Sequence, residues 1–172
     1  MIKSDIQKAV NDQIQEEFQS AYIYLAMSAW FEEENLDGFA HWMFVQWEEE
    51  IEHAMKFYRH ILRRGGKVEL QTLEAPEVEI KNAADAFKIA LKHEQHITSR
   101  IHSLYELAQE HNDYPLQTLL HWFIDEQVEE EENTSNVLEE LQRIGDDGSG
   151  LVMLDREMGQ RQPEEDEGEA EA

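Results

Sequence analysis

Apolar residues recur along this chain at helical spacing over four long stretches, and polar residues interrupt each stretch near its middle. Phe39, Met43, Glu50, His53 and Phe57 share one stripe at the i, i+3, i+4, i+7 spacing of a core face. Upstream, Val10, Ile14, Ala21, Tyr24 and Leu25 do the same, with Glu17 inside the face. Downstream come Phe87, Leu91, Glu94, Ile97 or Thr98, Ile101, Tyr105 and Ala108, and then Leu116, Leu120, Phe123, Gln127, Glu130, Thr134, Val137 and Leu141. The spacing and stop signals predict a first helix from Ser4, as N-cap, to about residue 34, ended by Asn35. A second follows from 36 or 37 to 64, closed by Gly65 and Gly66. A third covers 83–111; a fourth, with Pro115 in its first turn, runs to about 144. A short fifth helix is expected over 151–161, after a turn at 146–150. Residues 65–82 are too long for a tight turn. KVELQTL alternates like a strand, but a lone strand in a helical protein is better read as an extended crossover spanning the bundle. The expected fold is all-α: a four-helix bundle with a long crossover between helices two and three and a short fifth helix.

The interruptions carry the chemistry. Glu17, Glu50 with His53, Glu94, and Gln127 with Glu130 sit near mid-helix on four different helices, so a bundle brings them to one depth. An unpaired interior carboxylate is costly and needs a proton, an Arg or Lys, or a metal ion. Of eight histidines only His53 has Glu three residues before it. Taken alone, Glu50-x-x-His53 is as readily a satisfied core pair as a ligand pair. Three other helices offering polar ligand types at the same depth favour the metal. Oxygen donors with one imidazole and no sulfur suit a hard or borderline divalent ion.

Composition narrows the partners. The 172 residues contain three prolines and eight glycines, too little punctuation for a sheet of short strands, and no cysteine, which excludes disulfides and thiolate ligation. A formal charge of −25 argues against nucleic acid and anionic membranes and favours cations. The N-terminus has no apolar signal region and no apolar run is long enough to span a bilayer, so a cytoplasmic protein is expected. PEEDEGEAEA at 163–172 carries six acidic residues and reads as a disordered acidic tail after a single domain of 1–162. The run 125–132, with six acidic residues in eight, cannot all face inward; by default most of it is solvated surface.

The segments NDQIQEEFQSAYIYLAM, FAHWMFVQWEEEIEHAMKFY, RGGKVEL, KHEQHIT, FIDEQVEEE and LVMLDREMG, in this order, resemble the non-haem ferritins of bacteria and archaea over about residues 3–162. Ferritin-like di-iron proteins present one Glu from each of two helices and a Glu-x-x-His pair from each of the others; here the second pair is Gln127-x-x-Glu130. The resemblance implies a ferroxidase centre. Glu17, Glu50 and His53 would hold one iron, with Glu50 bridging to a second held by Glu94 and Glu130. Gln127 would lie beside them, and Tyr24 would match the family's tyrosine next to the centre. It also implies a third iron site from Glu49, Glu126, Glu129 and Glu130. The implied activity is oxidation of Fe²⁺ by O₂ or H₂O₂ and storage of Fe³⁺ mineral in a homo-oligomeric cage, usually a 24-mer, here expected to be salt-dependent. Leu151, Val152, Leu154 and Met158 of the fifth helix have little of their own bundle left to cover and suggest subunit contacts. A haem-containing bacterioferritin would carry His at the position of Glu130 and Met at that of Glu52, so no haem is expected. An acidic bundle that merely binds cations or a partner remains the rival from another class; it would have no need of inward carboxylates at one depth.

Overall fold

The computed structural model describes residues 2–163, so the expected tail falls, apart from Pro163, outside the described residues. Five helices follow in order: α1 (Ser4–Glu33), α2 (Asp37–Arg63), α3 (Ala83–Glu110), α4 (Tyr114–Ile144) and α5 (Gly148–Met158). No strand occurs among the described residues; the segment after Gly65 as far as Ile80 lacks regular structure and lies along α1, the N–H groups of Lys67, Glu69 and Glu74 donating to the side chains of Gln7, Asn11 and Gln19.

The helix ends explain where the chain turns. Residues with φ between 52° and 67° follow α1, α2, α3 and α4: Asn35, Gly65, Asn112 and Gly145; at the first three the chain closes the helix with paired bonds. In each of those three, two backbone N–H groups fold back on the last turn. Leu36, Gly66 and Asp113 donate to the carbonyls of Phe31, Ile61 and Ala108 at 3.0, 3.0 and 2.8 Å, which satisfies carbonyls the helix leaves open. Asn82 and Asp113 cap the starts of α3 and α4 by accepting from the N–H groups of Asp85 and Leu116 at 2.9 and 3.1 Å.

Three sequence expectations shift. Ser4 is the first residue of α1 rather than its cap; Lys3 precedes the helix without a side-chain capping bond. The fifth helix begins and ends three residues earlier than the apolar pattern suggested. Asp147 accepts from the N–H of Ser149 at 3.0 Å and starts it within the Gly-Ser turn, and Gly159 follows its end. Leu25 is only half-buried, and Leu138 takes the core position expected for Val137.

The core is divided into two apolar clusters. One joins Phe31, Phe39, Phe87, Leu138 and Leu141 with Leu154 and Met158 of α5. The other joins Ile6, Val10, Phe57, Ile61, Ile101, Leu104 and Leu116. The first gathers the end of α1, the starts of α2 and α3 and the end of α4; the second gathers the opposite ends. Helices α2 and α3 therefore run parallel, which only a crossover the length of the bundle permits. Leu154 and Met158 are spent on their own bundle, so the expectation that the whole apolar face of α5 is spare is corrected: Val152 and Met153 are the large apolar side chains it leaves exposed.

Candidate metal centre

Between the two apolar clusters lies a belt of buried polar side chains. Glu17, Glu50, His53, Glu94, Gln127 and Glu130 are each at most 3 % exposed. They come from all four long helices because each carries its polar residue where the flanking turns belong to different clusters. Ile14 and Tyr24 flank Glu17; Met43 and Phe57 flank Glu50 and His53; Ala90 and Ile97 flank Glu94; Phe123 and Leu138 flank Gln127 and Glu130.

Two groups within the belt have ligand atoms close enough to share a cation. Glu17, Glu50 and His53 form the first; His53, Glu126 and Glu130 form the second, every atom of a group lying within 4.8 Å of the others. His53 stands between them, with Nδ1 3.6 Å from Glu50 Oε2 and Nε2 3.6 Å from Glu126 Oε1. Its ring is packed edge-on against Trp122 and Phe123, with ring centres 5.5 and 5.7 Å away.

Several oxygens have fixed partners. Gln13 donates to Glu17 Oε1 at 2.9 Å. Tyr24 donates its hydroxyl proton to Glu94 Oε1, and Gln127 Nε2 donates to Glu94 Oε2 at 3.2 Å. Gln46 Nε2 lies 2.7 Å from both oxygens of Glu130. Two oxygens stand apart: Glu17 Oε2 and Glu50 Oε2 are buried without a hydrogen-bond partner, and both belong to the first group.

The electrostatics record the crowding. Burial first, then the charge of Glu50, pushes Glu17 up to about 8, and the same two causes push Glu94 up to about 8 against the pull of Tyr24 and Gln127. Burial, then Glu94 and Glu50, holds Glu130 well above the carboxylate range. Burial alone would lower His53, but Glu126 and Glu50 outweigh it and raise the imidazole well above its ordinary value. Tyr24 is raised by burial and then by Glu94. Three carboxylates of this buried layer, Glu17, Glu94 and Glu130, thus favour protons or cations. Two divalent ions would neutralise Glu17, Glu50, Glu94 and Glu130 together, so the donor set fits a pair of hard cations.

Of the residues expected for a third site, Glu126 and Glu130 come together around His53. Glu49 instead pairs with Arg161 at 2.6 Å, and Glu129 is exposed; neither joins either group. The sequence reading passed over Gln13, Gln46 and Arg161. Gln13 precedes Glu17, the residue it bonds, by four positions, an i, i+4 spacing that would have flagged it, whereas Gln46 bonds Glu130 on another helix. Arg161 lies beyond α5, and nothing in its own segment points to the belt.

Comparison with known proteins follows the same lines. A family model described as a ferritin-like domain matches residues 7–144. The bacterial non-heme ferritin of Staphylococcus aureus (strain USA300) is 37% identical over 161 residues, covering 94% of this chain and 97% of that protein. That of Staphylococcus haemolyticus (strain JCSC1435) is 37% identical over 166 residues, covering 96% and 100%. Among solved structures, a closed form of the Archaeoglobus fulgidus ferritin made by site-directed mutagenesis superposes with a TM-score of 0.93 at 41% identity, covering 94% of this chain and 99% of that one. A structure of the open-pore ferritin of the same archaeon gives 0.92 at 41%, covering 94% and 100%. A humanized archaeal ferritin gives 0.94 at 39%, covering 96% and 100%.

Proposed function

The chain belongs to the ferritin family, and from that premise we propose that it oxidises Fe²⁺ at the buried belt and stores the ferric product inside a shell of its own copies. The observation that carries this is the pair of orphaned carboxylate oxygens, Glu17 Oε2 and Glu50 Oε2, beside His53 in a layer whose other carboxylates are held above their ordinary range. In this reading Glu17, Glu50 and His53 hold one Fe²⁺. Glu50 reaches on to a second held by Glu94 and Glu130; its charge acts on Glu17, Glu94 and Glu130 alike, which suits a bridging carboxylate. Gln127 and Tyr24 orient Glu94 through its two oxygens. Glu126, close to His53 and Glu130 and less buried, serves as a further acceptor through which Fe³⁺ leaves the centre.

Carboxylates bind Fe³⁺ more tightly than Fe²⁺, so this donor set favours the oxidised product. Two Fe²⁺ held together supply two electrons to one O₂, taking it to the peroxide level, or to one H₂O₂, taking it to water. The protein's part is to fix ligands, separation and access. Open-pore and closed shell forms of one archaeal ferritin match this subunit almost equally, so the fold alone does not choose the shell; a 24-subunit cage is the form we propose.

The test is anaerobic Fe²⁺ loading of the metal-free protein followed by O₂, read as ferric absorbance. Wild type should oxidise about two irons per subunit in a fast phase, as a two-metal site requires. Glu50→Ala combined with His53→Ala should lose that phase. If wild type and variant both oxidise iron at the rate of buffer alone, the belt is structural and the proposal fails.

A further inference from the structure

Arg161 lies three residues beyond the end of α5, yet its guanidinium reaches into the belt. Nη1 donates to Gln46 Oε1 at 2.6 Å and Nη2 to Glu49 Oε2 at 2.6 Å. The group lies 4.3 Å from the centre of the Trp42 ring, and the Arg161 carbonyl accepts from His41 Nε2 at 2.9 Å. The Arg161 and Glu49 side chains are only 15 % and 10 % exposed, so this pair is not a surface contact that salt would dissolve.

The direction of the bonds matters. A guanidinium has donors and no acceptor, so Gln46 must turn its oxygen to Arg161 and its amide N–H groups to Glu130. One side chain from beyond α5 thereby fixes Gln46, Glu49 and, through Gln46, Glu130. Glu49 is one of the four residues, with Glu126, Glu129 and Glu130, that the resemblance to prokaryotic ferritins assigns to a third iron. Here a cation built into the chain already holds Oε2 of its carboxylate. A divalent ion at Glu49 would have to lie against that guanidinium or displace it from Trp42, Gln46 and Glu49 together. Because an arginine stays charged at any working pH, protonation does not open the position.

We infer that Arg161 closes Glu49 to metal, so that this chain holds two tight metals per subunit and no Glu49-dependent third one. This rests on the two-metal reading of the belt. The experiment counts redox-inert Zn²⁺ that survives dialysis against salt in the assembled protein, for wild type, Glu49→Gln, Arg161→Gln and the double variant. The expected counts are about two, two, three and two per subunit, in line with a two-metal belt plus one unmasked site. An arginine that merely packed the segment after α5 would lower binding when removed. It would not add an ion that Glu49→Gln then abolishes. The inference is overturned if Arg161→Gln binds no more Zn²⁺ than wild type. It is overturned equally if Glu49→Gln alone binds less than wild type, an outcome readable even should Arg161→Gln fail to fold. Fewer than two Zn²⁺ in wild type would sink the two-metal reading instead, while the comparison between Arg161→Gln and wild type would still judge Arg161.

Discussion

Glu17 has one oxygen tied to Gln13 and the other tied to nothing, and its carboxyl is pushed up to about 8 from an ordinary 4.5. A carboxyl raised in the folded state binds protons there that the unfolded chain has lost, so stability falls as pH rises from about 4.5 to about 8. The raised imidazole of His53 works in the same direction: its contribution is complete below 6.5 and is lost as pH climbs through its higher folded value. The metal-free protein should therefore melt at progressively lower temperature between pH 5 and pH 8. Glu17→Gln should flatten that slope and stabilise the metal-free form at pH 7 by on the order of 1–3 kcal/mol; a wild-type melting curve that rises over this range would refute the assignment. Metal uptake at the proposed site would displace the same protons. Zn²⁺ binding measured calorimetrically at pH 7 in two buffers of different ionisation enthalpy should show release of more than one proton per subunit, and fewer as pH rises through about 8, where Glu17 and Glu94 lose theirs. A buffer-independent enthalpy at pH 7 would mean the belt is already ionised. Glu17, Glu50, His53, Glu94, Gln127 and Glu130 were legible from sequence because each breaks an apolar stripe at a position the helical period buries. Gln46 and Arg161 were not, because hydrogen-bond partners on other elements leave no mark on a residue's own stripe.

Helix α5 is held to the bundle by a contact between its side and the start of α2. Asp155 Oδ1 accepts from the N–H groups of Gly38 and Phe39 at 2.9 and 3.0 Å, supplying a negative charge to the open first turn of α2. The backbones touch there: a Cβ on Gly38 would lie 1.6 Å from the Asp155 carbonyl oxygen. Gly38→Ala must therefore push α5 away, at a cost of about 1–3 kcal/mol. Hydrogen exchange should show the α5 amides losing protection while α3 and α4 keep theirs; equal protection of α5 in both proteins would show the contact to be yielding. At the other end, Arg64 donates to both oxygens of Asp113 at 2.6 and 2.8 Å, and Asp113 also caps α4. Asp113→Ala removes a cap and a bidentate pair at once and should cost about 2–4 kcal/mol in thermal or denaturant unfolding. A loss below about 0.5 kcal/mol would show the corner to be held by its apolar neighbours instead. Helix number, order and the crossover could be read from periodicity, since each long stripe exceeds any competing pattern. The bounds of α5 could not. Gly148 and Gly150 read as a turn, and only the Asp147 cap, with Leu154 and Met158 docked on the bundle, makes helix the cheaper choice.

At the scale of the whole molecule, the charge of each subunit leads to a prediction for assembly. Each chain carries −25 formally, so 24 copies at −25 each would carry about −600. Nothing in the fold of the subunit removes that repulsion. Iron in the belt would balance only the buried carboxylates, and the exposed glutamates of α4, such as Glu129 and Glu132, would remain. Against it α5 contributes the exposed Val152 and Met153, a small apolar patch, and the crossover adds Leu70 and Leu73. Apolar contact is hardly weakened by salt, whereas charge repulsion between subunits weakens as the Debye length falls from ~30 Å at ~0.01 M to ~10 Å at ~0.1 M. The balance should tip with salt alone: light scattering should report small oligomers near 10 mM salt and a closed shell above a few hundred millimolar, reversibly and without change in helix content. Charge neutralisation by Mg²⁺ should achieve the same at far lower concentration than Na⁺, because a divalent cation screens and binds carboxylates more strongly. Met153→Asp should shift the midpoint to higher salt by weakening the apolar side of the balance. A shell of one size at every ionic strength would mean that contacts other than these dominate the interface, and that the acidic surface serves solubility rather than control of assembly.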